Sequence, residues 1–116
     1  MTQHYVGTKI VMAWAQDKDG QAGYTVKYSD GYTSWCPKEQ FEAANVALGH
    51  IGHLPPHQQR VVAELEQLAD RTKKLEDFLH TDLYAGLPED ERELLKMQAD
   101  AMVLYLGILN TRRAKF

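Results

Sequence analysis

The sequence predicts an α+β protein with a small N-terminal antiparallel β-meander and one short helix, followed by a long C-terminal antiparallel helical hairpin. Three observations predict this class. The early part of the chain is rich in β-branched and aromatic residues. The second half repeats leucine and valine at three- and four-residue steps, as amphipathic helices do. A segment rich in glycine and proline, 49–56, lies between them. We therefore expect a β-rich cap over 1–54 and a helical hairpin over 55–116.

The β-meander is expected to contain three strands. Their ranges are Val6 to Ala15, Tyr24 to Ser29 and Tyr32 to Trp35. Asp30-Gly31 predicts a two-residue hairpin turn, because this dipeptide tolerates positive φ. A short helix is expected over 37–48, since proline suits the first helical position and Glu39 favours the positive end of the helix dipole.

Two long helices should form the hairpin. The first begins near Pro56, and its expected inward stripe is Val61, Leu65, Leu68, Thr72, Leu75 and Leu79. A connecting loop is expected over 80–87. The second helix opens with Pro88 and three acids, and its expected inward stripe is Leu94 or Leu95, Gln98, Met102, Tyr105, Leu109 and Arg112.

The second helix is apolar over much of its circumference. Outside the expected stripe it also carries Met97, Val103, Leu104, Leu106 and Ile108. Such a helix is normally buried, and two helices cannot cover all of this surface between them. We therefore expect burial against the small sheet or other copies of the chain, which predicts a homo-oligomer.

The composition of the chain argues against several classes of function and location. The net charge of −3 does not favour general attraction to nucleic acid, so no DNA partner is expected. The single cysteine excludes an internal disulfide and is natural for a cytosolic protein. The first residues do not resemble a signal peptide, and no apolar stretch is long enough to span a membrane. We expect no membrane partner and a cytoplasmic location.

No catalytic residue, metal ligand set or cofactor is predicted. His50, His53 and His57 straddle glycines and prolines rather than one helix face, so polar linker residues are favoured over zinc ligands. Cys36 precedes the short helix without an orienting acid or an oxyanion turn, which favours a structural role over a nucleophile. The chain is therefore not expected to be an enzyme.

The basic ends of the hairpin are candidates for anion binding. In an antiparallel hairpin the start of the first helix lies beside the end of the second, which should bring Arg60 near Arg112 and Arg113. Guanidinium groups grip phosphate bidentately. Cations are also ordinary at a helix C-terminus. The residues alone favour neither interpretation.

Aromatic side chains form a second candidate set. Phe78, Tyr84 and Tyr105 lie in or beside the hairpin. Core packing and stacking on a purine base are both open to them.

The second half resembles the helical hairpin domain shared by two groups of phage anti-defence proteins, Thoeris anti-defence protein 1 and anti-CBASS protein 2. The resemblance is carried by Gln59, Arg60, Val61, Leu68, Leu75, Phe78, Leu87, Leu94, Leu95, Gln98, Met102, Tyr105, Leu109 and Arg112. The segments 4–11 and 23–44 are similar to the β domain of the Thoeris anti-defence group. Cys36 departs from the serine expected there, and the turn over 17–20 is shorter than in many relatives.

This resemblance implies a phage-encoded sponge in the cytosol of the bacterial host. Such proteins bind the cyclic ADP-ribose isomers that Thoeris TIR-domain enzymes make as alarm signals, and they hold the signal without cleaving it. Relatives form dimers that build a hexamer, and some also bind cyclic oligonucleotides at a separate site.

On the resemblance and on chemistry, we assign ligand binding and oligomerisation to the hairpin. Arg60, Arg112 and Arg113 are expected to supply cationic contacts at subunit boundaries, Phe78 or Tyr105 to stack on adenine, and Gln98 to supply polar contacts. An enzyme that degrades the signal would need a nucleophile or metal set. The alternative is an adaptor whose hairpin binds a host protein.

Overall fold

The computed structural model describes residues 1–116. The chain divides into two compact units, Met1–Asn45 and Val46–Phe116. The first contains a three-stranded antiparallel sheet and a short helix, and the second contains two long helices and a short one. The predicted α+β class is thereby confirmed. None of the helices is both long enough and apolar enough to cross a membrane.

The sheet is a meander in which each strand pairs with the next. Its strands are β1 (Met12–Ala15), β2 (Gly23–Lys27) and β3 (Thr33–Pro37). The central strand aligns Thr25 with Trp14 on one side and Trp35 on the other. A short helix, α1 (Lys38–Ala44), follows β3 directly and packs on the sheet. There the ring of Phe41 stacks on Tyr24 with 4.4 Å between ring centroids.

Three details of this unit differ from the predictions. The first strand is four residues long rather than running over 6–15, because β2 offers pairing partners only to Met12–Ala15. The helix ends at Ala44 rather than 48, where the side chain of Asn45 donates a hydrogen bond to the Phe41 carbonyl at 2.9 Å. Its N-cap is Pro37, which is also the last residue of β3.

The turn between β2 and β3 has three residues rather than two. The Tyr28 N–H donates to the Tyr32 carbonyl at 2.9 Å, which leaves Ser29, Asp30 and Gly31 between them. Gly31 has the expected positive φ, +90°, but Asp30 does not, so the turn is not of the primed type. A three-residue connection with glycine in the left-handed region is the next common hairpin solution.

The second unit is the predicted helical hairpin. Its helices are α2 (Pro56–Phe78), α3 (Asp82–Ala85) and α4 (Glu89–Arg113). The short α3 lies within the connection predicted as a loop, and the Thr81 hydroxyl oxygen accepts from the Tyr84 N–H at its start, at 3.3 Å. α4 begins with three acids and ends with two arginines, as its macrodipole favours.

The hairpin core lies between α2 and α4. Val61, Leu65 and Leu68 of α2 pack with Leu109 of α4, which is completely buried. The predicted α2 stripe is right at these positions and at Thr72, a buried polar residue whose hydroxyl donates to the Leu68 carbonyl at 2.7 Å. That hydrogen bond removes the penalty of burying the hydroxyl.

The inward stripe of α4 is offset from the predicted one. Leu95, Met102 and Leu109 do face the core side. The other inward positions are Ala99, Leu106 and Arg113, and the predicted Gln98, Tyr105 and Arg112 are exposed. After Leu95, Met102 and Leu109, the next inward residue thus lies four positions further on rather than three. This rotation keeps a glutamine and a phenol in contact with water and places Ala99 and Leu106 on the core side instead. Arg113 takes the inward place expected of Arg112, and there it pairs with Glu66.

Candidate functional site

A polar edge runs between the two long helices, formed by Arg60 and Glu64 of α2 with Tyr105 and Arg112 of α4. The Tyr105 hydroxyl donates a hydrogen bond to a Glu64 carboxylate oxygen, which joins the helices. Arg60 lies one turn before Glu64 on the same side of α2, and Arg112 lies two turns after Tyr105 on the same side of α4. The fold thus gathers three of the predicted ligand residues along one edge.

The electrostatics of the polar edge are mixed. The hydrogen bond to Glu64 is the largest cause that raises the pKa of Tyr105 above its usual 10.0, with desolvation and the Glu64 charge adding to it and Arg112 opposing it. Neither Arg60 nor Arg112 forms an ion pair with a carboxylate of this chain. Both guanidinium groups are therefore free to bind an anion, but the negative charge of Glu64 repels an anion at this edge.

Arg113, the third predicted cation, is already paired. Its Nη1 donates to Oε1 of Glu66 at 3.0 Å, and both side chains are partly buried. A phosphate that binds Arg113 has to displace this carboxylate. Arg113 also lies on the core side of α4, while Arg112 lies on the polar edge.

Gln98 extends the polar edge towards the middle of the hairpin. It is exposed and lies two turns before Tyr105 on the same side of α4, about 10 Å along the axis. Its amide nitrogen lies 3.9 Å from the Met102 sulfur, a weak contact that leaves the amide available to a ligand.

Phe78, the other predicted stacking residue, lies at the opposite end of the hairpin. It ends α2, fourteen residues after Glu64 and so about 21 Å along the axis. Phe78 and Tyr105 therefore cannot both contact one compact ligand on the same chain. Phe78 instead meets Tyr84 of α3 edge to face, with 6.1 Å between ring centroids.

The loop cluster, defined as Phe78, Tyr84 and Arg92, holds a residue that sequence reasoning missed. The Tyr84 hydroxyl donates to the backbone carbonyl of Arg92 at 3.0 Å. The Nε of Arg92 is buried without a hydrogen-bond partner, and this arginine forms no ion pair. Buried polar atoms are nearly always satisfied, so this nitrogen needs a water or ligand. The available signal was an arginine inside the acidic opening of α4.

A separate cleft of about 630 Å³ lies in the sheet unit, which sequence reasoning did not identify. It is lined by Lys9, Ile10, Val11, Tyr28, Ser29, Asp30 and Tyr32. The Tyr28 and Tyr32 rings stack with 6.0 Å between centroids, too close to admit a third ring between them. This cleft offers one aromatic face and one lysine to a ligand.

The titratable residues of the chain form no metal centre. No group of three or more histidine, cysteine, aspartate and glutamate side chains lies close enough to hold a metal ion. Cys36 is a free, partly buried thiol in β3. Within the hairpin, arginines and aromatic rings occur together at the polar edge and at the loop cluster, and these two arrangements are the candidate binding sites.

Comparison with known proteins matches the hairpin and not the sheet. The family model described as Sequestin matches residues 55–115, which contain α2, α3 and α4 and therefore both candidate arrangements. No curated protein and no solved structure matches the chain.

Proposed function

The chain belongs to the Sequestin family, and from this we propose that it binds a small signalling nucleotide and holds it without cleaving it. The family model covers the segment that combines arginines with the aromatic rings of Phe78, Tyr84 and Tyr105. One observation supports nucleotide binding most directly: the buried Arg92 Nε has no partner, and the backbone carbonyl of Arg92 accepts a hydrogen bond from Tyr84, whose ring meets Phe78. A base could stack on the Phe78 or Tyr84 ring while a phosphate binds the Arg92 guanidinium.

The finer proposal names the signal. The resemblance to Thoeris anti-defence protein 1 supports a phage protein that acts in the cytosol of its bacterial host and sequesters cyclic ADP-ribose isomers, which keeps the Thoeris effector inactive. The same resemblance supports a homo-oligomer, as a dimer or a hexamer, and a second ligand class of cyclic oligonucleotides.

Each predicted ligand residue has a place in this proposal. Phe78 supplies stacking at the loop cluster, where Arg92 joins it as the cation. At the polar edge Arg60 and Arg112 bind phosphate, and Tyr105 and Gln98 bind the base or ribose. Arg113 contributes once Glu66 is displaced. A charged ligand with two phosphates and a purine matches this mixture of guanidinium, amide and phenol groups.

A filtration assay tests sequestration. The protein is mixed with the product of a Thoeris TIR enzyme and removed by ultrafiltration, and the retained fraction is denatured. We expect the signal to leave the filtrate and to reappear chemically unchanged after denaturation. A signal that stays in the filtrate refutes binding, and a new product peak refutes storage without cleavage.

Variants locate the site. Arg92→Gln removes the charge at the loop cluster and should lower retention at least about tenfold, since a charge-assisted contact to phosphate is worth about 1.5–3 kcal/mol. Arg71→Gln is the matched control, because Arg71 is an exposed arginine of α2 without an ion pair. If the two variants retain the signal equally well, Arg92 is not part of the binding site.

The alternative function is an adaptor that binds a host protein through the hairpin. The exposed apolar residues of α4, among them Leu104 at 70% exposure, are the observation that favours it. It predicts no thermal shift with any cyclic nucleotide and recovery of one host protein on pulldown.

A further inference from the structure

One face of the three-stranded sheet carries both tryptophans of the chain and is not covered by α1. The pairing of β1, β2 and β3 places Trp14, Thr25 and Trp35 side by side on this face, which we call the outer face. α1 packs on the opposite face, where Phe41 stacks on Tyr24. Trp14 is 43% exposed. The outer face therefore presents aromatic surface to solvent.

The charged residues of the outer face are all lysines. The strand register and the hydrogen bonds that extend the β1–β2 hairpin place these further residues on it: Met12, Gln16, Lys18, Gln21, Gly23, Lys27, Thr33 and Pro37. None of them is acidic. Neither Lys18 nor Lys27 forms an ion pair. Two indole rings and two unpaired cations, without a carboxylate, complement a ligand that is both aromatic and anionic.

Trp35 is held in place by the backbone of the β1–β2 hairpin. Its Cζ2 and Cε2 atoms lie against Gly23, where a Cβ has no room. Its Nε1–H donates to the Gln16 carbonyl at 2.7 Å. These contacts fix the edge of the indole that carries the nitrogen and leave the faces of the ring to side chains. A ring that is already ordered loses little conformational freedom when a ligand stacks on it.

The side chain that lies over the Trp35 ring is Lys18, whose ammonium is 5.6 Å from the ring centroid. The backbone of Lys18 is fixed, because its N–H and carbonyl both form hydrogen bonds with Gln21 at 2.9 Å. Asp19 and Gly20 connect the two residues, and both have the positive φ that a two-residue hairpin turn requires. The ammonium itself has no carboxylate partner, so it is free to leave the ring for a phosphate.

We propose that the outer face is a further binding site, for a flat heteroaromatic base that carries a phosphate. The base stacks on the Trp35 ring in the place of the Lys18 ammonium, and the ammonium pairs with the phosphate. Every base has a π face that stacks on aromatic side chains, and a lysine binds phosphate as a point charge. A free nucleotide and a base within single-stranded RNA share this chemistry. The site lies in Met1–Asn45 and does not depend on the ligand proposed for the hairpin.

Quenching of tryptophan fluorescence tests the site, because both tryptophans lie on the outer face. The full chain is titrated with adenosine monophosphate, adenosine and ribose phosphate at an excitation wavelength that adenine does not absorb. We expect saturable quenching by the nucleotide, an affinity about fivefold weaker for adenosine, and no quenching by ribose phosphate. Absence of saturable quenching by the nucleotide overturns the proposal. An equal response to adenosine or to ribose phosphate overturns it as well.

Two lysine variants test the cation. Lys18→Gln removes the charge and leaves both indole rings in place, so the affinity for the nucleotide should fall to that for adenosine. Lys38→Gln is the matched control, because Lys38 is an exposed lysine without an ion pair in α1, which packs on the opposite face. It should leave the affinity unchanged. Equal affinities of the two variants for the nucleotide would overturn the role of Lys18.

A third variant assigns the stacking ring, and a second probe assigns the source of the base. Trp14→Ala leaves Trp35 as the single tryptophan, and the nucleotide should still quench its emission. Loss of the response would overturn stacking on Trp35. Titration with tetra-adenylate RNA then separates the two sources of the same chemistry. Tighter binding than that of adenosine monophosphate supports a base within a strand, and binding no tighter supports a free nucleotide.

Discussion

Replacement of Gly23 by alanine should destabilise the sheet unit, although it adds only one methyl group. Gly23 begins β2 opposite Pro37 of β3. A Cβ built on Gly23 would overlap the Trp35 ring at Cζ2 and would lie 2.6 Å from both Trp35 Cε2 and the Cys36 carbonyl oxygen. The carbonyl belongs to the paired backbone and cannot move without loss of the ladder.

The magnitude follows from what holds Trp35 in place. Its indole N–H donates to the Gln16 carbonyl at 2.7 Å, and the Lys18 ammonium lies 5.6 Å from the ring centroid. Displacement of the ring breaks a hydrogen bond worth about 1 kcal/mol. Forced overpacking adds about 1–3 kcal/mol. We therefore expect Gly23→Ala to lower the free energy of unfolding of this unit by about 2–4 kcal/mol.

Tryptophan fluorescence during urea denaturation measures this effect selectively. Both tryptophans, Trp14 and Trp35, lie in the sheet unit, so their emission reports on that unit. Gly7→Ala is the matched control, because a Cβ there would meet no atom within 4 Å. A midpoint for Gly23→Ala that equals the control midpoint would refute the close approach of Trp35 to β2.

Three further predictions concern the hairpin and are read from circular dichroism at a helical wavelength. Gly107→Ala should stabilise it by about 0.5–1 kcal/mol, because glycine is unfavourable within a helix and no atom lies within 4 Å of the added Cβ; an unchanged midpoint in urea would contradict this. Leu109→Ala should cost about 2–5 kcal/mol, since Leu109 is fully buried in the core, and a loss below 1 kcal/mol would contradict the packing described for it. The hydrogen bond to Glu64 raises the pKa of Tyr105 above 10.0, so this contribution to stability is complete below the unfolded pKa and is lost as pH rises through the folded pKa. Tyr105→Phe should therefore lose less stability than the natural chain as pH rises above about 10, and identical alkaline curves would contradict the contact.

The parts of the fold that depend on local pattern could be predicted from the sequence. The α2 stripe was right at Val61, Leu65, Leu68 and Thr72, because α2 has one apolar face and a polar remainder. The left-handed φ of Gly31 was also predicted, since no other residue type adopts it as readily. The length of β1 could not be predicted from the sequence, because it depends on how many residues of β2 are available for pairing.

The candidate site was less accessible to sequence reasoning. Residue type pointed to arginines and aromatic rings on the hairpin, and the assignment of those residues to a ligand stays a prediction. The Glu64–Tyr105 hydrogen bond and the Arg113–Glu66 ion pair join residues more than forty positions apart, so no local spacing signals them. The unpartnered Arg92 nitrogen could not be predicted either, because burial of a single side-chain atom depends on the tertiary fold. The connection that supplies Tyr84 as a partner for the Arg92 carbonyl was predicted only as a loop.

The offset of the predicted α4 stripe has a physical cause that bears on the site. The helix was expected to be apolar over much of its circumference, and a single face cannot be located from such a pattern. In the structure α4 has a core face and a second apolar face, exposed at Leu94, Met97, Leu104 and Ile108. Gln98, Tyr105 and Arg112 lie on the border between them, where they are close to apolar neighbours on both sides. Because they lie at this border, the apolar periodicity predicts them as core positions although their polar groups remain exposed to solvent.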